Sequence, residues 1–248
     1  MNKIFNSIDL IPEIQWVIAI ILMILVIATT LFWIWGMIKP SKLVDEMQIR
    51  TRSWWIMCSI FVFASVVDPV ITYLALGFLS FLTLREIYSL LSLRETDRSV
   101  LFFCYLSIPI QYFLAFKGYY TLFLIFIPVF MFIIIPFLLV LTGETKDIIR
   151  TMCILPTSLM LGVFGISHLA LLINFPEMNS NGVSGKALLL FLIFITEAND
   201  IMQFVWGKIF GKHKILPKVS PNKTWEGFIG GVISVSYTHL RAHETRIH

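Results

Sequence analysis

Long apolar runs separated by short charged stretches are the feature of this sequence that most restricts its fold. Most of these runs approach 20 residues, the length at which a helix crosses a hydrocarbon core of about 30 Å. Only 14% of the 248 residues are charged, whereas a soluble domain carries about 25%. The sequence therefore predicts an all-α, polytopic integral membrane protein with about seven to eight transmembrane helices.

Seven apolar segments precede a basic stretch, and an eighth begins near Phe228. The first is too long for the core of a signal peptide, so we interpret it as a retained membrane anchor. Asp68 and Pro69 separate the second segment from the third, which is compatible with two thin spans or with a re-entrant pair. The seven segments comprise residues 14–38, 54–67, 69–83, 100–116, 119–141, 151–174 and 186–206.

Positive charge is shared unevenly between the two sides that these segments define. If each run crosses once, fourteen lysines and arginines fall on one side, and only Lys3, Lys117 and Lys186 fall on the other. Cytoplasmic loops of membrane proteins carry such an excess, so the N-terminus is predicted outside and the basic stretch in the cytosol. We interpret the net charge of +4 as a topology signal and not as a sign of nucleic-acid binding. The expected location is the cytoplasmic membrane of a bacterium.

All three cysteines, Cys58, Cys104 and Cys153, lie within apolar runs. They form no CxxC pair, so the sequence indicates neither a disulfide framework nor a zinc site. We interpret them as packing residues.

Two carboxylates and two amides interrupt the last apolar run before the basic stretch. On a helix, Glu197 and Asp200 share a face, Gln203 follows one turn later, and Asn199 lies beside them. Two carboxylates at membrane depth repel each other unless they are protonated, paired with cations or bound to a metal. The cluster is therefore either a polar patch that holds helices together or a functional site.

Five lysines alternate with glycines and prolines in residues 208–223. Such a segment is suited to binding a polyanion, and carboxylates nearby suit Mg²⁺, which binds substrate phosphates together with one or two acids. Ser220 or Thr224 is predicted to cap a helix that starts near Trp225. The alternative is a juxtamembrane loop that binds anionic lipid headgroups.

The order of residues 207–231 fits the pattern GKxFGKHKxxPxxSPxKTWEGxxGG. In this the chain resembles the phosphatidate cytidylyltransferase family, the CDP-diacylglycerol synthases. Ser53-Trp54-Trp55 and residues 81–86 (FLTLRE) are similar to the N-terminal half of that family. The resemblance implies a membrane enzyme of phospholipid biosynthesis that converts CTP and phosphatidate to CDP-diacylglycerol and pyrophosphate, with Mg²⁺ as cofactor.

Two departures from the family pattern stand out. Residues 199–204 read NDIMQF, where the commoner family pattern is A-D-[ST]-G-A-Y, so we expect a divergent branch with an altered nucleotide pocket. The family's C-terminal signature, with further metal-binding acids, is not in this sequence. Residues 234–248 look instead like a translated sequencing adapter, so the 248-residue chain is expected to be an incomplete and inactive fragment.

The resemblance also implies roles for individual residues. Asp200 is expected to bind metal or nucleotide phosphate, with help from Glu197 and Asn199. The residues expected to bind substrate are Lys208, Lys212, Lys218 and Lys223 through their charge, Ser220 and Thr224 through hydrogen bonds, and Gly207, Gly211 and Gly227 through an accessible backbone. The predicted division of the chain is N-terminal helices in 1–185, the start of a catalytic domain in 186–233, and the tail in 234–248.

The expected partners are CTP and membrane phosphatidate, without nucleic acid, and self-association into a homo-oligomer is a further expectation. The rival hypothesis is a non-catalytic lipid-binding scaffold or a transporter fragment. In that case the acids would hold helices together, the lysines would bind headgroups, and CTP would have no role.

Overall fold

The computed structural model describes residues 12–91, 97–144, 147–173 and 185–244. Within these ranges the chain forms helices α1 to α8 and one two-stranded hairpin, β1 and β2. Their bounds are Pro12–Ile38 (α1), Lys42–Val67 (α2), Pro69–Ser89 (α3), Arg98–Lys117 (α4), Tyr120–Leu141 (α5), Ile148–Ile173 (α6), Gly185–Phe210 (α7), Lys214–Leu216 (β1), Ser220–Thr224 (β2) and Trp225–Glu244 (α8).

Six of the described helices are long and apolar enough to cross a membrane, namely residues 18–38 of α1 and all of α3 to α7. The prediction of an all-α polytopic integral membrane protein is confirmed, with the hairpin as a small addition. Helices α2 and α8 are not among the six, so the number of seven to eight spans stays a prediction. Which side of the membrane each loop faces also stays a prediction.

Asp68 separates α2 from α3, as the sequence predicted. Its backbone is extended, with φ −155° and ψ 140°, and its carboxylate accepts a hydrogen bond of 2.7 Å from the Val70 amide. The residue before a proline avoids the helical region, whereas proline fits the first position of the next helix. Helix α2 begins at Lys42, well before the second apolar segment, which was predicted to start at residue 54. Ser41 caps the helix, because its side-chain oxygen accepts a hydrogen bond from the Val44 amide.

The chain divides into two compact units, Met1–Leu189 and Leu190–His248. In the first unit, the core lies among α3 to α6 and includes the fully buried Leu84, Phe123 and Leu159. Because lipid is as apolar as these side chains, packing and polar contacts between helices supply much of the specificity. The functional boundary predicted after residue 185 stays a prediction.

Hydrogen bonds between helices cross this core. Tyr112 on α4 donates to the Leu76 carbonyl of α3 over 2.9 Å, and Ser158 on α6 donates to the Tyr88 hydroxyl of α3 over 3.0 Å. Gln111 is fully buried, and its Nε2 donates to the Phe123 carbonyl (3.2 Å) and to Ser167 Oγ (3.3 Å). Within the described residues its Oε1 accepts no hydrogen bond.

Both α5 and α6 contain a π-helical stretch, Phe126–Met131 and Met160–Phe164. Pro128 lies inside the first stretch and Pro156 lies one turn before the second. Proline removes an amide donor and displaces the carbonyl four residues earlier, which gives a local reason for the change in helical pitch. The helix distortion near each of these two prolines therefore takes the form of a π-helical turn.

The three cysteines are free thiols in the structure. Cys104 is fully buried in the core, which confirms its packing role, whereas Cys153 is exposed on α6 and does not pack inside the protein. Parts of some predictions lie outside the described residues, namely Lys3, Arg94 and Lys146 of the charge count, position 174 of the sixth segment, and residues 245–248 of the tail.

Candidate functional site

The basic stretch forms a short hairpin between α7 and α8 in the second unit. Strands β1 and β2 are antiparallel, with Lys214 opposite Thr224 and Leu216 opposite Ser220, and the register is irregular between these pairs. Pro221 has no amide to donate, which is tolerated because a two-stranded hairpin has only edge strands. The sequence did not predict the hairpin, since the segment lacks a clear alternation of apolar and polar residues.

Thr224 caps α8. Its Oγ1 accepts a hydrogen bond of 3.2 Å from the Gly227 amide at the third helical position, and the side chain is only 4% exposed. Of the two predicted caps, Thr224 takes this role and Ser220 lies at the start of β2. The capping bond orients the first turn of α8 against the end of β2.

Glycines bring α7 and α8 into close contact. A Cβ atom placed on Gly227 would lie 2.7 Å from the Gln203 carbonyl oxygen and 2.9 Å from Gly207 Cα. On Gly230 it would lie 2.5 Å from Trp206 Cγ, and on Gly231 it would lie 2.5 Å from Gln203 Cγ. The two helices therefore approach each other at a distance that side chains at these positions would prevent.

The three glycines predicted to admit substrate all lie against other parts of the chain. Gly207 contacts the region of Thr224 and Gly227, and a Cβ on Gly211 would meet the Gly207 carbonyl oxygen and Thr224. Packing thus gives a sufficient reason for glycine at Gly207, Gly211 and Gly227. Their contact with substrate stays a prediction.

The predicted acidic cluster lies on α7. Glu197 and Asn199 are half-buried, Asp200 is exposed, and the Oδ1 atom of Asn199 is buried without a hydrogen-bond partner among the described residues. Asp200 precedes Lys208 by two turns, a rise of about 12 Å along the helix. The structure therefore places the acids on the same helix as the first lysine but two turns away from it.

The predicted lysines are all exposed around the hairpin. Lys208 is in the last turn of α7, and its Nζ atom lies 5.3 Å from the centre of the Phe204 ring. Lys212, Lys214, Lys218 and Lys223 have no carboxylate within ion-pair distance in the described part of the chain. Four ammonium groups on a segment of twelve residues create a local excess of positive charge that attracts anions.

Glu226, at the second position of α8, was not predicted as a site residue. Its Oε2 accepts from the amides of Lys212 (3.1 Å) and His213 (3.2 Å), and its Oε1 accepts from His213 Nδ1 (2.6 Å). The hydrogen bond from the His213 side chain, followed by backbone amide hydrogen bonds, lowers the pKa of Glu226 from 4.5 to about 2. The carboxylate therefore stays ionised and closes the base of the hairpin.

An open groove of about 450 Å³ is lined by residues of α7 and α8. Its lining is almost entirely apolar and includes Trp206, Phe210, Trp225 and Ile229, together with Glu226. Trp206 Nε1 donates to Ser234 Oγ over 2.8 Å, which fixes one wall. Aromatic rings with a polar atom at one edge are typical of the membrane interface.

The donors available for a divalent cation are oxygens of Glu197, Asn199 and Asp200. In the described residues no three acidic, histidine or cysteine side chains are grouped as metal ligands. Mg²⁺ binds through one or two carboxylates and completes its shell with water and substrate phosphates. Glu197 and Asp200 supply carboxylates of the kind that such an ion uses, and the binding of Mg²⁺ by them stays a prediction.

The fold and the site define a polytopic membrane protein that presents a lysine-rich hairpin at the end of an acid-bearing helix. Sequence comparison assigns it more narrowly: the chain belongs to the cytidylyltransferase family, whose profile matches residues 48–243.

Individual relatives agree with this assignment. The chain is 35% identical to the uncharacterized protein YnbB of Escherichia coli K12 over 227 residues, which are 90% of this chain and 72% of that protein. It is 48% identical over 50 residues to the phosphatidate cytidylyltransferase of Haemophilus influenzae, covering 20% of this chain and 17% of the enzyme. The enzyme of the same name from Chlamydia muridarum is 44% identical over 57 residues, or 21% of this chain and 19% of that enzyme. No solved structure matches the chain.

Proposed function

We propose that this protein is a membrane nucleotidyltransferase that uses CTP and phosphatidate to form CDP-diacylglycerol and pyrophosphate. The observation that carries the proposal is the exposed lysine hairpin of Lys212, Lys214, Lys218 and Lys223, fixed at the end of a helix whose acids suit Mg²⁺. Membership of the cytidylyltransferase family and the similarity to enzymes named phosphatidate cytidylyltransferase support it.

The reaction is a phosphoryl substitution without a covalent enzyme intermediate. A phosphate oxygen of the lipid attacks the α-phosphorus of CTP, a new P–O bond forms, and the bond to the bridging oxygen breaks as pyrophosphate leaves. Negative charge grows on the leaving group, so positive groups that bind it more tightly in the transition state accelerate the step. In this proposal Lys208, Lys212, Lys218 and Lys223 supply that charge.

Neutral donors complete the phosphate site in this proposal. Ser220, which is half-buried at the start of β2, donates its hydroxyl hydrogen to phosphate oxygen. Thr224 is proposed to donate its hydroxyl hydrogen to a phosphate oxygen, although its side chain is only 4% exposed and its oxygen already accepts from the Gly227 amide. Both side chains therefore orient the nucleotide without adding charge.

Asp200 is proposed to hold Mg²⁺, with Glu197 and Asn199 contributing oxygen atoms. When bound, the ion would neutralise charge on the triphosphate. Its binding would also relieve the repulsion between Glu197 and Asp200, which lie three residues apart on α7. The hairpin is proposed to face the cytosol, where CTP is available, in agreement with the distribution of positive charge.

The deciding experiment measures the binding of radiolabelled CTP by the purified chain in detergent with Mg²⁺. We expect saturable binding that Asp200→Asn weakens and that Glu46→Gln, which changes a carboxylate of α2 in the first unit, leaves unchanged. Absence of CTP binding by the unaltered protein refutes the proposal and supports a lipid-binding scaffold or a transporter fragment.

Transfer itself is followed by adding phosphatidate and measuring lipid-soluble label. A purified phosphatidate cytidylyltransferase serves as the positive control for the labelled lipid. Formation of the labelled lipid by the 248-residue chain would support the proposed reaction directly.

A further inference from the structure

The carboxylate of Glu226 gathers three hydrogen bonds from two consecutive residues at the start of the hairpin. The donors are the Lys212 amide at 3.1 Å, the His213 amide at 3.2 Å and His213 Nδ1 at 2.6 Å. We call this arrangement of Glu226 with Lys212 and His213 the Glu226 clamp. Charged acceptors make short, strong hydrogen bonds, and here one acceptor serves all three donors.

The clamp connects the end of α7 to the first turn of α8. Gly211 still bonds to α7, through its amide and the Gly207 carbonyl at 3.1 Å, and the chain leaves the helix at Lys212. The Trp225 amide donates to the His213 carbonyl over 3.0 Å, so the residues on both sides of the hairpin base are tied together. Without Glu226, three donors at this base would lose their acceptor.

The clamp leaves the lysine side chains free to bind an anion. The amides of Lys212 and His213 already bond to Glu226, so an incoming phosphate would meet the ammonium groups of Lys212 and Lys214, which are both exposed. Fixing the backbone beneath a lysine reduces the conformational freedom that binding must remove. The clamp therefore prepares the hairpin for an anion without contacting the anion itself.

We propose that Glu226 and His213 are positioning residues that hold the lysine hairpin in the conformation that binds the phosphates of the nucleotide. This inference rests on the proposed function and adds two residues to it. Glu226 acts through the backbone of Lys212 and His213, and His213 acts by orienting the carboxylate.

The test uses the whole 248-residue chain in detergent and two measurements on each variant. The first is the rate of trypsin cleavage after Lys212 and Lys214, which reports the order of the hairpin without any ligand. The second is the dissociation constant for CTP with Mg²⁺. Gel filtration and circular dichroism confirm that each variant is folded.

We expect Glu226→Ala to accelerate cleavage and to raise the dissociation constant about tenfold, the scale expected when the pre-ordering of two lysine side chains is lost. Glu226→Gln keeps the length and one acceptor oxygen, so its effect should be smaller. His213→Asn retains a side-chain N–H near the position of Nδ1 and should bind CTP more tightly than His213→Ala. Glu46→Ala, which removes a carboxylate from the first unit, should change neither measurement.

Three outcomes would overturn the inference. Unchanged cleavage in Glu226→Ala would show that the clamp does not order the hairpin. Faster cleavage with an unchanged dissociation constant would show a structural role without a role in phosphate binding. Equal affinities of His213→Asn and His213→Ala would remove His213 from the clamp. Failure of the unaltered protein to bind CTP would instead refute the proposed function, and cleavage alone would then report whether Glu226 orders the hairpin.

Discussion

Replacing Gly227 by alanine tests the close approach of α7 and α8. The added Cβ would lie 2.7 Å from the Gln203 carbonyl oxygen, 2.9 Å from Gly207 Cα and 3.0 Å from Thr224 Oγ1. Two of these atoms belong to the backbone of α7 and cannot rotate away. The substitution can therefore be accommodated only if the helices separate or tilt.

The expected loss of stability follows from two opposing contributions. Alanine favours a helix over glycine by about 1 kcal/mol, whereas overfilling a packed site costs about 1 to 3 kcal/mol. Because the obstruction is backbone, we expect the upper part of that range and a net loss of about 1 to 2 kcal/mol. Gly77 is the matched control, since a Cβ there would lie at an ordinary contact distance of 3.6 Å from Tyr112.

The assay is equilibrium unfolding in detergent micelles, followed by tryptophan fluorescence. Trp206 and Trp225 line the groove between α7 and α8, so their emission reports this interface. Gly227→Ala should unfold at a lower denaturant concentration than the unaltered protein, and Gly77→Ala should unfold at the same concentration or slightly higher. A Gly227→Ala protein as stable as Gly77→Ala would refute the close packing of the two helices.

Three further predictions concern single side chains. The pKa of Glu226 is about 2 in the folded protein, against 4.5 ordinarily. Its stabilising contribution should therefore be complete above about pH 4.5 and be lost as the pH falls toward 2. In thermal unfolding, the melting temperatures of Glu226→Gln and the unaltered protein should converge over that range. Thr224→Ala should destabilise the chain by about 1 kcal/mol through loss of the helix cap, and Thr224→Ser by less, as measured by denaturant unfolding. Gln111→Leu preserves volume but removes the two hydrogen bonds that Nε2 donates together with the partnerless Oε1, so it should lower the unfolding free energy by about 1 to 2 kcal/mol, whereas Gln111→Ala, which also leaves a cavity, should cost more.

The helices were largely predictable because an apolar run of this length has few alternatives to a membrane helix. The break at Asp68 was visible because proline restricts the residue before it. The start of α2 was not visible, because the charged residues from Lys42 onward interrupt the apolar pattern although they are compatible with a helix. Hydropathy thus locates the membrane-compatible part of a helix and not its full length.

Within the candidate site, the sequence predicted local contacts better than contacts between residues far apart in the chain. The cap at Thr224 was predicted because a hydroxyl before an expected helix is a local signal. The Glu226 clamp joins residues thirteen and fourteen positions apart, and only the hairpin brings them together. A glutamate in the first turn of a helix indicates a favourable interaction of its carboxylate with the helix N-terminus. It does not indicate Lys212 and His213 as hydrogen-bond donors.

Gln203 changes how the divergence of residues 199–204 is understood. The sequence suggested that Met202 and Gln203 alter a nucleotide pocket, and that expectation is still a prediction. In the structure Gln203 lies against α8: a Cβ on Gly231 would lie 2.5 Å from its Cγ, and a Cβ on Gly227 would lie 2.7 Å from its carbonyl oxygen. Asp200 precedes it by one turn on the same face of α7. The structure therefore gives Gln203 a packing contact with α8 that lies one turn from Asp200.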